Sequence, residues 1–199
     1  MYNRKDAFYR KAKKEGYKSR AAYKLMELNK KYALYSSNSR VLDAGCAPGG
    51  WLQVVLEKVK KTPVVGVDLI QVEGLGYPNF HFVHGDLTAD ETMEKVLSIS
   101  PEFDTVLSDA APNTSGTRLL DHVNSFELVN LIFDFTKKVL RENGNFCFKL
   151  FDGEDTQKLL QEVRKYFKMV KVIRPEATRK NSFEIYVVCK GFQKPLNKI

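Results

Sequence analysis

The chain has little to offer a metal or a membrane. Its three cysteines, Cys46, Cys147 and Cys189, are an odd number at no metal-ligand spacing, which reads as reduced, mostly buried thiols. Of its three histidines, His81 and His84 stand three apart in the strand-like run HFVH. They would face opposite sides of a strand, which argues against a metal site. No apolar run approaches the roughly 20 residues of a membrane span. The N-terminal run MYNRKDAFYRKAKKEGYKSR lacks the apolar centre of a secretory signal. Repeats, low-complexity linkers and an obvious apolar stripe for self-association are missing as well. These absences leave a soluble, cytoplasmic protein, expected to be a monomer without metal. At 199 residues, 43% of them hydrophobic, the chain suffices for one domain with a well-buried core. That domain is taken as residues 1–199, with a basic segment at 1–31 and a core at 38–192.

Charge is plentiful but unevenly placed. Residues 1–31 hold eleven Lys/Arg against Asp6, Glu15 and Glu27, which accounts for the whole net charge of +8, because the remaining 21 bases and 21 acids cancel. A basic patch at one end of a chain is an electrostatic footprint for a polyanion, most often nucleic acid. A solvated tail gives the same count. Tyr9, Tyr17 and Tyr23 interleave with the bases, which favours a surface that also stacks or packs.

The run SRAAYKLMELNKKY places Ala22, Leu25, Met26 and Leu28 mostly on one side behind a plausible N-cap, Ser19, and reads as an amphipathic helix. Beyond Arg40 the pattern alternates. Strand candidates are RVLDA, PVVGVDL, FHFVHG, DTVLSDA, NFCFKLF, FKMVKVI and FEIYVVCK; helix candidates are WLQVVLEKVKK, TADETMEKVLSI, DHVNSFELVNLIFDFTKKVLREN and EDTQKLLQEVRKYF. Short apolar strands separated by helical periods imply an α/β fold, a mostly parallel sheet with helices on both faces. RENGN supplies a stop signal for the long helix. The last two strands follow each other without a helix, so they are expected to pair antiparallel at one edge.

In such folds the ligand sits beyond the carboxyl ends of the strands, where LDAGCAPGGW falls. Gly45, Ala47, Gly49 and Gly50 are read as letting a ligand touch main chain, with Pro48 fixing a bend. GCAPGG can be forced onto the dinucleotide pattern G-x-A-x-x-G, with Asp68 near the offset of a ribose-binding acid. Yet Ala47 replaces the glycine that admits a pyrophosphate, and Asp43 brings negative charge close. A cofactor with ribose, adenine and a positive centre but no phosphate fits better: S-adenosylmethionine. Asp43 would then answer its amino or sulfonium end and Asp68 its ribose. Asp86 in HGDLT stands where a carboxylate would accept from an adenine amino group, or cap the next helix.

Asp109 ends DTVLSDA and leads into the turn-rich APNTSG, where it serves the site or merely caps the loop. Lys149 is one charge among Phe146, Phe148 and Phe151, where lysine is rarely buried without a partner. It snorkels at an edge or has a task. Glu184 in NSFEIYVV poses the same choice more weakly. A ribose hydroxyl is a poor nucleophile and needs a base near its oxygen. A lysine can be that base when burial and neighbouring positive charge favour its neutral form.

These pieces, SRAAYKL, LDAGCAPGGW, VDL, GDL, SDAAPNTSG, FKLFDGE and SFEIYVV in this order, resemble the FtsJ/RrmJ (RlmE) family of RNA 2'-O-ribose methyltransferases from about Asp6 to Gly191. The resemblance implies the class I methyltransferase fold, a Rossmann-like sheet of seven strands with the last-but-one position reversed. It implies a catalytic tetrad of Lys24, Asp109, Lys149 and Glu184. Lys149 would accept the proton, Asp109 hold it, and Lys24 and Glu184 orient the ribose. Cofactor contacts implied are Gly49, Trp51, Asp68, Asp86 and Asp109, beside Asp43, Gly45, Pro48, Gly50 and the following Leu69 and Leu87. The expected substrate is a uridine of large-subunit ribosomal RNA, with tRNA as the alternative. Lys11, Lys13, Lys14, Lys18 and Arg20, with Arg174, Arg179 and Lys180, are the candidate phosphate contacts.

Two rival classes are weaker. Tyr186 and Lys190 in YVVCK match the Tyr-x-x-x-Lys of nicotinamide reductases, but in a strand they stand about 13 Å apart. A non-catalytic RNA-binding protein would not need the buried lysine.

Overall fold

Strand and helix alternate from Val41 onward as the apolar pattern requires. The computed structural model describes residues 7–179 and 181–194. Two helices, α1 (Ala7–Glu15) and α2 (Ala21–Tyr32), precede the sheet. Then come β1 (Val41–Ala44), α3 (Gly50–Lys58), β2 (Val64–Asp68), β3 (Phe80–His84), α4 (Asp90–Ile99), β4 (Phe103–Ser108), α5 (Arg118–Val139), β5 (Leu140–Phe151), α6 (Thr156–Arg164), β6 (Phe167–Ile173) and β7 (Glu184–Phe192). The sheet has seven strands in the order β3-β2-β1-β4-β5-β7-β6. β7 runs antiparallel to both β5 and β6, and the other pairs are parallel. The last two strands thus pair antiparallel as expected, with β7 inserted inside β6.

Side-chain alternation along the strands feeds two cores, one per face. Phe146, Phe148 and Leu150 of β5 join Val129, Ile132 and Phe133 of α5 and Leu159 and Leu160 of α6. Cys147 of β5 and Tyr186 and Val188 of β7 turn the other way, onto Leu25 and Leu28 of α2 and Leu52 and Val55 of α3. All three cysteines are buried free thiols.

The structure revises three local expectations. Ser19 makes no capping bond to α2; the N-cap is Arg20, also without one. The long helix stops at Val139, short of RENGN. Leu140 is buried in the core and already belongs to β5, so Arg141–Gly144 forms an irregular start to the strand. There the register jumps from Phe103–Leu140 to Thr105–Asn145, with Asn143 at φ 59°. Finally, the expected lack of an apolar stripe fails: Leu119, Leu120, Val123 and Leu131 are exposed along α5. Alternation with buried positions hides such a row from a linear reading.

Candidate active site

Four of the expected residues come from four distant parts of the chain and meet at the carboxyl edge of the sheet. Lys24 projects from α2, Asp109 follows β4, Lys149 lies near the end of β5, and Glu184 opens β7. The β5–β7 register sets Lys149 opposite Tyr186 and Phe151 opposite Glu184. A single hydrogen-bonded chain runs through them. Lys24 Nζ donates to Glu184 Oε1 and, at 3.0 Å, to the Tyr186 hydroxyl. Tyr186 donates to Asp109 Oδ1 at 2.6 Å. Lys149 Nζ sits 3.2 Å from the same oxygen and also donates to the Asp109 carbonyl.

Burial makes this chain consequential. The side chains of Lys24, Lys149 and Asp109 are 5%, 10% and 23% exposed. Burial alone would raise the Asp109 pKa. The charges of Lys149 and Lys24 and the bonds from Tyr186 and Lys149 overcome that and hold it below the ordinary aspartate value. The Tyr186 phenol is pushed well above its ordinary value by burial and then by Asp109 and Glu184. Tyr186 therefore stays a donor, the joint between the two lysine–carboxylate pairs.

The chain borders a cavity of about 600 Å³ that also carries Gly45, Ala47, Pro48, Asp68, Leu69, Asp86 and Leu87. It lies beside β1 and β4, where the strand order reverses, the usual ligand position in such sheets. Asp68 accepts from the Ala47 amide on one oxygen and the Ile70 amide on the other, both at 2.8 Å, and so ties two loops together. Asp86 accepts from the Thr88 amide and hydroxyl, which lowers its pKa. It does not cap α4, whose N-cap is Ala89. Among the described residues the wall carries four carboxylates, Asp68, Asp86, Asp109 and Glu184, against Arg20, Lys24 and Lys149, an acidic excess that suits a cationic ligand better than a phosphate.

Residues 17–192 match the family model of the FtsJ-like methyltransferases. The chain belongs to the FtsJ-like methyltransferase family. It is 44% identical over 194 residues to the ribosomal RNA large subunit methyltransferase E of Archaeoglobus fulgidus, covering 98% of this chain and 100% of that one. Identity and coverage are the same for the protein of that name from Borrelia garinii subsp. bavariensis. Among solved structures, one described as a ribosomal RNA methyltransferase from Plasmodium falciparum superposes with a TM-score of 0.78 at 35% identity, over 88% of this chain and 98% of that one.

In this FtsJ-like methyltransferase the glycine loop is closely packed against other parts of the protein. A Cβ on Gly45 would stand 2.5 Å from Ala110 Cβ, one on Gly49 2.8 Å from Val72 Cγ1, and one on Gly50 2.2 Å from Ser19 Oγ. Protein atoms fill those spaces. Gly49 and Gly50 do not line the cavity, nor do Asp43 and Trp51. Trp51 is buried, donates its indole N–H to the Ala21 carbonyl at 2.9 Å and packs against Tyr186. Asp43 is buried behind the loop with neither carboxylate oxygen hydrogen-bonded. Burial, then Asp109 and Asp68, push its pKa well up.

The candidate phosphate contacts fall on α1, on the α1–α2 connection and between β6 and β7. Lys11, Lys13 and Lys14 are exposed on α1, and Lys18 reaches over Gly49 towards Gly74. Arg20 lines the cavity. Arg174 donates to the Arg179 and Ser182 carbonyls and so shapes the β6–β7 connection; Lys180 lies outside the described residues. Ala12, Tyr23 and Ala177 form a small apolar cluster joining α1 and α2 to that connection. Sequence reasoning missed two things here: α1 as a helix, and Tyr186 as part of the site. Tyr186 stands two residues from Glu184 on the same strand face, and that spacing was its signal.

Proposed function

We propose that this protein transfers the methyl group of S-adenosylmethionine to the 2'-hydroxyl of a uridine ribose in large-subunit ribosomal RNA, in the cytoplasm. The observation that carries the reading is the buried chain Glu184–Lys24–Tyr186–Asp109–Lys149 at the mouth of an acidic cavity. The names of its relatives supply the RNA. Gly45, Pro48, Asp68, Leu69, Asp86 and Leu87 would line the cofactor, with Asp68 at its ribose and Asp86 at its adenine. Gly49, Gly50 and Trp51 hold the loop from behind. The fit of a cation rests on the carboxylates of Asp68 and Asp86, which line the cavity.

When bound, S-adenosylmethionine supplies an electrophilic methyl carbon on a positively charged sulfur. The chain's own residues do the rest. Lys149 Nζ takes the proton of the 2'-hydroxyl as the oxygen attacks. Asp109 fixes that amine from one side through its carboxylate and carbonyl. Lys24 and Glu184, locked to each other, set the ribose so that oxygen and methyl carbon approach in line. Tyr186 keeps the two halves in register. The exposed bases of α1, with Lys18, Arg20 and the β6–β7 connection, would meet the phosphate backbone.

The test is methyl transfer from labelled S-adenosylmethionine to unmodified large ribosomal subunits, free ribosomal RNA and tRNA, followed by digestion to nucleosides. Label in 2'-O-methyluridine from the subunits, lost in Lys149→Ala, is expected. Label in a base overturns the ribose reading. Label in tRNA alone overturns the substrate, and no label despite cofactor binding overturns the enzyme.

A further inference from the structure

A second cavity, of about 670 Å³, opens one residue beyond the tetrad and shares no lining residue with the first. β5 and β7 pair through Phe151 and Glu184, and the Asp152 amide, donating to the Phe183 carbonyl at 2.9 Å, carries the ladder one rung further. Asp152 and Phe183 stand on the wall of this second cavity. Its volume falls within the roughly 300–1,000 Å³ of ordinary ligand sites.

The wall suits a flat, neutral, polar group. The guanidinium of Arg118, the first residue of α5, lies over the Phe183 ring at 5.4 Å from its centroid. Phe151 supports the same ring at 4.8 Å. An arginine laid on an aromatic ring is a platform that a further π-system extends. Among the described residues the formal charges on the wall are mixed, Arg118 and Arg174 with Asp152 and Glu176, which suits a neutral polar group. Asn181 and Ser182, also on the wall, add neutral polar side chains. A nucleobase has the flat face, the mixed donors and acceptors and the neutrality that these features call for.

We propose that this cavity holds the base of the nucleotide next to the one methylated, stacked on the Arg118–Phe183 pair. The inference rests on the ribose-methylation reading and deepens it. A base seated there has left its own helix, so the acceptor must lie in an unpaired stretch of RNA.

The experiment follows RNA affinity by fluorescence anisotropy and methyl transfer in the full-length protein with S-adenosylmethionine. It compares wild type, Arg118→Gln and Phe183→Leu on a single-stranded RNA and on versions abasic at either neighbour of the acceptor. Arg118 is exposed, so its replacement leaves folding intact even if Phe183→Leu does not. Each substitution is expected to weaken RNA binding and raise KM for RNA about tenfold, the scale of one stacked base. kcat and cofactor affinity should stay within about twofold. One abasic neighbour should cost wild type the same factor and cost Arg118→Gln nothing more. Equal RNA affinity in all three proteins, with methyl transfer intact, overturns the base site and leaves the enzyme standing. A loss in Arg118→Gln that no abasic site reproduces and that high salt removes makes the contact a phosphate and overturns the proposal. Base-dependent binding without any methyl transfer by wild type overturns the ribose reading instead and leaves the cavity a base site.

Discussion

Two buried carboxylates stand at the same edge of the sheet and meet opposite fates. Asp109 is surrounded by Lys149, Lys24 and Tyr186, and its pKa is held down. Asp43, behind the glycine loop, has no hydrogen-bond partner, and its pKa is pushed up by burial and by Asp109 and Asp68. Burial is common to both, so partners decide. The first corner is complete in itself; at the second the carboxylate is shut away from partner and cavity alike, and its charged form is disfavoured. The pH behaviour separates them. The Asp109 contribution to stability is present above the ordinary aspartate value and is lost as pH falls below it. That of Asp43 is present at low pH and is lost as pH rises through its raised value.

The largest expected effect is at the complete corner. Lys149→Ala should lower the rate of methyl transfer about 10²- to 10⁴-fold, with S-adenosylmethionine affinity, followed by calorimetry, nearly unchanged. A normal rate would remove Lys149 as the base. Next comes Lys24→Met, which strands Glu184 and removes a donor from Tyr186. Breaking a buried pair from one side costs about 3–5 kcal/mol, read by urea denaturation, whereas Tyr186→Phe should cost only about 1–2 kcal/mol. A silent Lys24→Met would mean that the corner is not held by its charges.

A third test concerns the loop between the two corners. Gly50→Ala should destabilise by about 1–3 kcal/mol through overpacking, and Ser19→Gly in the same chain should recover most of it, because Ser19 occupies that space. A loss confined to cofactor affinity, without rescue, would return the glycine to the ligand. The smallest effect is at the second corner. Asp43→Asn should raise Tm by about 2–4 °C, or about 1 kcal/mol, and flatten the loss of stability with rising pH. A lower Tm would show that Asp43 is charged and paired after all.

Much of this architecture is legible in the residues, because each strand and most helices carry their own period. What is not legible is whatever depends on two distant segments. Lys24 is one of eleven bases in its segment and stands out only through family resemblance. Its burial against Glu184, 160 residues away, leaves no local trace. Tyr186 drew notice through a Tyr-x-x-x-Lys spacing that its strand makes meaningless, while its partner Asp109 lies just past the end of β4. The glycines of LDAGCAPGGW announce a close approach but not what approaches. RENGN looks like a helix stop, and the pull of the core on Leu140 ends the helix sooner.

The docking of α1 has a kinetic corollary. Ala12 is buried against Tyr23 and Ala177, Tyr17 donates to Glu57 and Tyr23 to Glu15, and Gln53 receives the Lys18 amide while donating to the Gly16 carbonyl. The basic helix is thereby a fixture of the folded protein. A polyanion arriving there meets positions already set, so little chain entropy is lost on contact. Encounter should then be a single bimolecular phase, fast, steered by field and slowed steeply by added salt, without the slow second phase of a segment that folds on its ligand.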